Sequence, residues 1–208
     1  MSSDPLVAFD RAATAGAPAL ATCDNFDLTV GDLAGRTVSD AARCSGLVWT
    51  VHAGTWTVSG GRVSATAATP AIATLGTALS SATVSVELAG ADVGVHETGV
   101  VLDHDGADTY LAAVVVGDVV PRVDLLLVDG GVTTVLASSP VTVAPSVVVA
   151  LTRDGATATV HLDGALVVSH VLDGATVATL GAATGAGLSA SNSSVTADDL
   201  RVSPPATP

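Results

Sequence analysis

The chain has 208 residues, of which 49% are hydrophobic and 2% aromatic, enough for one sizeable core, so a single domain is expected. Its formal net charge of -13, with seven arginines and no lysine, argues against partners that present phosphates, nucleic acid above all. No stretch free of Thr, Ser, Asp or Gly is long enough to cross a membrane, so no membrane insertion is expected.

Residues 1–22 are predicted to form an extended N-terminal arm outside the core, because they are rich in Ala, Pro and Thr and show no hydrophobic period. The first residues also lack the basic start of a secretion signal, and Asp4, Asp10 and Arg11 interrupt any apolar run. We therefore expect no signal peptide. The arm is expected to attach the protein to partners, with a flexible leader as the alternative.

Cys23 and Cys44 are the two cysteines of the chain and the candidates for a disulfide. A bridge across this loop would stabilise the fold by about 3 kcal/mol, whereas two buried reduced thiols are the alternative, and the sequence leaves both open. Because no CxxC or Cys/His zinc pattern is present, no metal site is expected there.

Both tryptophans lie seven residues apart in "SGLVWTVHAGTWTVSGGRVSA". A straight strand would place Trp49 and Trp56 on opposite faces, so the chain is expected to bend near Gly54. A turn at Gly60-Gly61 pairs Trp56 with Ala65 and assigns this indole to the core, while the face of Trp49 stays open. Both indoles are predicted to be structural, with a stacking platform for a sugar as the alternative for one of them.

Asp-Gly and Gly-Gly turn signals divide the rest of the chain into about a dozen short strands with little helical periodicity, which is typical of a β-sandwich or barrel. "VVVALTRDGATATVHLDGALVVSHV" is predicted to form a three-strand meander. A turn at Asp154-Gly155 pairs Leu151 with Ala158, and a turn at Asp163-Gly164 pairs Val160 with Val167 and Leu162 with Ala165. Both hairpins place Ala158, Val160 and Leu162 on one apolar face.

The order of several segments resembles the concanavalin A-like lectin/glucanase superfamily in its laminin-G-like form. These segments are "DNFD", "GLVWTVHAGTWTVSGGRV", "GVVLDHDGADTYLAAVV", "RVDLLLVDGGVTTVLAS", "VALTRDGATATVHLDGALV" and "ADDLRV". The resemblance implies an all-β fold, an antiparallel jelly-roll β-sandwich over residues 23–202, followed by a tail at 203–208. It also implies that the "DNFD" and "DDLRV" strands lie together, with Leu200 in place of the usual aromatic residue.

The "DNF" strand and the "GTW" segment are also similar to domains in tail and surface proteins of phages that infect high-GC actinobacteria. This resemblance implies a non-catalytic virion structural or adhesion protein, a minor tail or decoration protein at the virion surface, present in several copies or as a homo-oligomer. Other virion proteins would bind through the arm. The alternative is a carbohydrate-binding module of a bacterial cell-surface system with a glycan as partner. No cofactor is expected.

Enzymatic chemistry is not expected. Glycoside hydrolysis needs two carboxylates on one face, and the spacing of Glu87 and Glu97 matches neither glucanase pattern of this superfamily, while Asp124 stands alone. A Gly-x-Ser-x-Gly nucleophile elbow is also missing from the sequence. No catalytic residue is predicted, and the sequence assigns no ligand-binding residue.

Two polar groups are weighed as metal sites. His161 and His170 are predicted to share a strand face but to lie two pairs apart, which favours an exposed polar face over a metal site. Asp103, Asp105 and Asp108 flank Gly106 in "LDHDGADTY", and a solvated turn is favoured over a calcium site because the spacing departs from an EF-hand.

Overall fold

A computed structural model describes residues 21–27, 30–39, 44, 46–66, 70–77, 79, 81–92, 94–106, 108–181, 183–191 and 194–205. Most of them lie in strands of two antiparallel sheets that pack face to face, so the predicted all-β sandwich is confirmed. Among the described residues, no helix is long and apolar enough to pass through a membrane.

Nine strands form the larger sheet, in the order β14-β13-β12-β7-β16-β5-β4-β2, and β1 adds to β16 beside this path. The strands, numbered along the chain, are β1 Ala21–Asp24, β2 Gly31–Asp32, β4 Thr55–Ser59, β5 Arg62–Thr66, β7 Ala82–Ala89, β12 Ser146–Asp154, β13 Thr157–Leu162, β14 Ala165–Val171 and β16 Thr196–Ser203.

Seven strands form the second sheet, in the order β11-β10-β9-β8-β15-β6-β3. They are β3 Thr50–Ala53, β6 Ala71–Gly76, β8 His96–His104, β9 Tyr110–Gly117, β10 Arg122–Asp129, β11 Val132–Pro140 and β15 Gly185–Ala190. The core lies between the two sheets, because inward residues alternate with outward ones along most strands.

The first and last described strands pair, as the resemblance implied. Ala21 lies opposite Val202 and Asp24 opposite Leu200, and Leu200 is fully buried where an aromatic residue was expected. The strand β1 therefore begins two residues before the predicted start of the sandwich at residue 23. Residues 1–20, which make up most of the predicted arm, lie outside the described part of the chain, as do residues 206–208 of the predicted tail.

The bend between the tryptophans is a crossover from one sheet to the other. β3 belongs to the seven-stranded sheet and β4 to the nine-stranded sheet, and Gly54 joins them with a φ of 75°, which favours glycine. Both indoles can therefore point into the same core from opposite sheets. Trp49 is 1% exposed and Trp56 3%, so both are structural and neither offers a ring face to a sugar.

The meander forms, but the register of its first hairpin, β12–β13, differs from the prediction along its whole length. Leu151 pairs with Val160 rather than Ala158, because the turn lies at Gly155-Ala156. A shift of two residues keeps every side chain on its face, so the predicted apolar face is correct although the predicted pairs are wrong. The turn at Gly60-Gly61 has the predicted register, with Trp56 opposite Ala65.

A bulge separates the two histidines of the meander. Leu162 pairs with Ala165 as predicted, but a register shift between Val160 and His161 pairs Val160 with Val168 instead of Val167. His170 lies opposite the fully buried Ala158, whereas His161 lines a pocket on the outer surface. The prediction that the two histidines share a face is wrong for this reason.

One short helix, α1 at Gly174–Leu180, was not predicted. Its N-cap Asp173 accepts a hydrogen bond from the Thr176 backbone N–H at 2.7 Å, and Gly181 follows its last residue. This Asp-Gly pair resembles the hairpin signals elsewhere in the chain, but the residues after it cap and continue a helical turn.

Candidate functional site

The outer face of the seven-stranded sheet carries a second hydrophobic cluster, apart from the core. Along β9, Leu111, Ala113 and Val115 point into the core, and the residues between them point outward. The outward cluster consists of Ile72, Val101, Tyr110, Ala112, Val114, Val116 and Val128, with Leu126 packed against it. The middle of this face is therefore apolar.

A groove runs along this face. Its main pocket has a volume of about 210 Å³ and is lined by His52, Ala53, Pro70, Ile72, His104, Asp108, Tyr110, Val128, Gly131 and Thr133. A hollow of about 60 Å³ shares Pro70, Tyr110, Val128 and Thr133 with it and reaches Glu97 and Ser189. We call the pocket and the hollow together the outer-face groove.

Three stacked rings line the main pocket. The ring centroids of His52 and His104 are 4.1 Å apart, and those of His104 and Tyr110 are 5.4 Å apart. Tyr110 is the one tyrosine of the chain, and His104 is buried beneath the exposed ring of His52. His104 and Tyr110 are each 5% exposed, so the stack presents mainly the His52 ring at the pocket wall.

Glycines allow rings from distant strands to meet. His52 belongs to β3 and His104 to β8, and in the sheet β15 and β6 lie between these strands. Gly185 of β15 pairs with His104, and a Cβ atom at Gly185 would lie 2.6 Å from the His104 carbonyl oxygen and 2.8 Å from its Cβ. A side chain at this position would displace His104, so glycine is required.

Both imidazoles of the stack are held in the uncharged form at neutral pH. The pKa of His104 is lowered to about 4, chiefly by burial and further by the neighbouring His52, while the partial burial of His52 lowers its pKa too. The Nδ1 atom of His104 accepts a hydrogen bond of 2.9 Å from the Gly106 backbone N–H, and His52 Nε2 lies 2.8 Å from Thr74 Oγ1. Burial and the Asp108 carboxylate raise the pKa of Tyr110.

The three aspartates weighed for calcium do not converge. Asp103 has a φ of 56° beside a register shift in β8, and it turns into the sandwich. Its Oδ2 atom lies 2.7 Å from Nε of the buried Arg153, and burial raises the pKa of Asp103 to about 6 against the opposing effect of Arg153. Asp105 and Asp108 stay exposed, and no group of metal-ligating side chains occurs in the described part of the chain.

Of the carboxylates weighed for hydrolysis, Glu87 lies on the nine-stranded sheet, whereas Glu97 and Asp124 share the outer face of the seven-stranded sheet. Glu87 is on the outer face of the nine-stranded sheet and accepts hydrogen bonds of 2.9 Å from Arg62 and Ser146. Glu97 is exposed in the outer-face groove. Asp124 of β10 is buried and accepts hydrogen bonds from Arg122 at 2.9 Å and Ser138 at 2.6 Å. These residues do not form the facing pair that glycoside hydrolysis needs.

A second pocket, of about 180 Å³, lies on the outer face of the nine-stranded sheet. Its lining residues are Ser85, Glu87, Val148, Ala150, His161, Gly164, Asp199 and Arg201. Arg201 forms an ion pair of 3.1 Å with Asp199, and Arg62 forms one of 2.9 Å with Glu87. The charges on this face therefore compensate one another.

The disulfide candidates Cys23 and Cys44 form a bridge, with a Cα–Cα distance of 5.2 Å. Beside it, Asp24 is buried and accepts hydrogen bonds from the Trp49 indole N–H at 2.7 Å and the Phe26 backbone N–H at 2.9 Å. The bridge and this carboxylate fix the end of β1 against the segment that precedes β3, so their role is structural.

No protein-family model matches the chain, and no curated protein matches it. The likeness to solved structures is one of fold. A carbohydrate-binding module, CBM66 from Bacillus subtilis, has a TM-score of 0.54 at 15% identity over 74% of this chain and 89% of its own. A functionally unknown protein from Saccharomyces cerevisiae has a TM-score of 0.53 at 14% identity, and the match covers 78% of this chain and 98% of that protein.

A GH43 protein from Bacillus licheniformis, BlXynB, has a TM-score of 0.60 at 12% identity and covers 87% of this chain, which matches 39% of that longer protein. Identities this low show a shared architecture and assign no activity. The chain thus shares with these structures the antiparallel β-sandwich fold that the sequence resemblance implied.

Proposed function

We propose that the protein binds carbohydrate without cleaving it, in the outer-face groove of the seven-stranded sheet. The observation that carries this proposal is the exposed His52 ring at the wall of a pocket open to solvent, held from behind by the buried rings of His104 and Tyr110. The C–H faces of sugar rings pack on aromatic rings, and their hydroxyl groups need nearby polar partners.

The pocket offers both kinds of contact. Pro70, Ala53 and the His52 ring provide accessible apolar surface above the buried Ile72 and Val128. The Asp108 carboxylate and the Thr133 hydroxyl lie in the same lining. The size of the main pocket suits one sugar ring, and the adjoining hollow extends it along the sheet. A fold shared with a carbohydrate-binding module supports the same function by analogy.

A purely binding role is favoured over hydrolysis by the placement of the carboxylates. Glu87 lies on the other sheet, and Asp124, which shares the outer face with Glu97, is buried and bonded to Arg122 and Ser138. The virion role predicted from the sequence stays a prediction, since the arm that would carry it lies largely outside the described residues. Mass spectrometry of purified particles from the source organism tests it, and absence of the protein there would overturn it.

The test of the binding proposal is a panel of gluco-, galacto-, manno-, fructo-, xylo- and arabino-oligosaccharides, measured by calorimetry on the full chain. His104→Ala is expected to weaken binding of the best oligosaccharide by about tenfold, because the middle ring of the stack is removed. His161→Ala is the matched control on the other sheet and should bind normally. Asp108→Ala, at an exposed position, gives a second test if the His104 variant unfolds.

Failure of all six oligosaccharides to bind would contradict the proposal, as would equal losses in the His104 and His161 variants. Circular dichroism and thermal unfolding of each variant separate lost binding from lost structure.

A further inference from the structure

We infer that the outer-face groove selects uncharged glycans and rejects those that carry carboxylate or sulfate groups. The inference rests on the proposed carbohydrate binding and adds the chemical class of the ligand. Its basis is the distribution of charge around the groove.

The charged side chains that line the groove are carboxylates. Asp108 lies in the main pocket and Glu97 in the adjoining hollow, and among the described residues neither forms an ion pair. No described arginine lines either space. An anionic sugar would therefore enter next to one or two negative charges with no cation to meet it.

Of the five described arginines, Arg36 lies beside Trp49 and lines neither space, and the other four are held in ion pairs. Arg62 and Arg201 lie on the other sheet, each in an ion pair, and Arg153 is buried between the sheets against Asp103. Arg122 lies on the outer face of the seven-stranded sheet, with Val116 between it and Glu97, but it is paired with Asp124 and lines neither the pocket nor the hollow. Moving any of these four paired guanidinium groups to the groove would break an existing ion pair.

The two histidines of the stack do not supply the missing positive charge. His104 lies between His52 and Tyr110, is buried, and has its Nδ1 atom occupied by the Gly106 N–H. Burial lowers the pKa of both imidazoles below their usual value, so both are neutral at pH 7. The net charge of -13 adds a long-range repulsion toward anions.

Like charges about 4 Å apart repel enough, even in bulk water, to weaken binding about fivefold, and more where the ligand displaces water. An uncharged glycan avoids this penalty, and its hydroxyl groups can donate to the same carboxylates. The residues that exclude anions thus favour neutral sugars.

The experiment is a competition assay on the full chain. A fluorescent form of the tightest-binding oligosaccharide of the six-sugar panel is displaced by the unlabelled sugar or by a matched sugar that carries carboxylates. The carboxylates are made by oxidising primary hydroxyls or, for xylose chains, which have none, are supplied by glucuronic acid substituents. We expect the carboxylated sugar to compete about tenfold less well at low salt, with a smaller difference in 1 M NaCl. Asp108→Asn keeps a hydrogen-bond acceptor without the charge, so it should lower the ratio between neutral and carboxylated sugar, whatever it does to the affinity for the neutral sugar itself.

Competition by the carboxylated sugar that equals or exceeds that of the neutral one would overturn this inference and leave the proposed function standing. Discrimination that persists unchanged in both Asp108→Asn and high salt would also overturn it, because the cause would then be shape rather than charge. Absence of binding by every neutral sugar would overturn the proposed function and this inference together.

Discussion

The two outer faces of the sandwich are built from the same kind of strand but differ in chemistry. The face of the seven-stranded sheet has an apolar middle, a ring stack and a groove whose two carboxylates form no ion pair among the described residues, and its ion pair, Arg122–Asp124, is not part of the groove lining. The pocket of the nine-stranded sheet is instead lined by the paired residues Glu87, Asp199 and Arg201. A face whose polar groups already bind one another has little left for a ligand. The comparison therefore points to the seven-stranded sheet as the binding surface.

The difference is set by what the outward positions of each strand contain. β7 and β16 place Glu87, Asp198 and Arg201 outward, next to Arg62 of β5. β9 instead places Tyr110, Ala112 and Val114 outward. Since both sheets share one core, these outward residues can change with little effect on the fold, and the face becomes the place where function is encoded.

The largest expected effect concerns the buried ion pair beneath the groove. Arg153→Met should destabilise the protein by about 3 kcal/mol at pH 7, because it leaves the Asp103 carboxylate buried without its cation. Urea unfolding measures the loss. Adding Asp103→Leu should recover most of it, and a single variant as stable as the wild type would contradict the role given to this pair.

The next largest effect concerns how the free energy of unfolding changes with pH. On acidification, His104 lowers the stability of the fold and Asp103 raises it. The folded His104 has a pKa of about 4 against an ordinary value of 6.5, so acidification through this range protonates the unfolded chain first and costs up to about 3 kcal/mol. Asp103, with a folded pKa of about 6 against 3.8, is protonated first in the folded chain and restores stability over nearly the same range.

His104→Gln removes the first effect and leaves the second. Relative to the wild type, this variant should gain stability as the pH falls from 6.5 to 4, in urea unfolding measured at each pH. Parallel curves for the two proteins would show that His104 is not held neutral by its surroundings.

The smallest effect is expected on the nine-stranded sheet. Arg62→Ala breaks a partly exposed ion pair with Glu87 and should cost less than about 1 kcal/mol, with no change in glycan binding. Thermal unfolding and calorimetry of the variant check both parts. Weakened binding would place a ligand on this face and undo the contrast between the two sheets.

Much of the fold follows from local signals. Period-two alternation and glycine turns predict the strands, and the register at Gly60-Gly61 is set by the turn alone. The predicted register of the hairpin at Gly155 is wrong by two residues. An Asp-Gly pair fits a turn at Asp154-Gly155 or one at Gly155-Ala156, and the local sequence does not decide between them. Turn chemistry thus predicts the faces more securely than the pairs.

The candidate site is harder to predict from the sequence than the strands are, because it depends on contacts between strands that are far apart in the chain. His52 and His104 meet across two intervening strands, and no local pattern around either residue signals the other. The inward turn of Asp103 depends on a bulge that the alternating pattern does not show. The single tyrosine after "LDHDGAD" was the one visible hint of an aromatic wall.

The central claim, that ligand binds to the outer face of the seven-stranded sheet, is tested most directly by NMR. The isotope-labelled protein is titrated with the tightest-binding neutral oligosaccharide, and the backbone amide shifts are mapped on the structure. We expect the largest shift changes at the amides of Ile72, Tyr110 and Thr133, which line the main pocket. Changes centred instead on Ser85, Ala150 and Arg201, the pocket of the nine-stranded sheet, would contradict it.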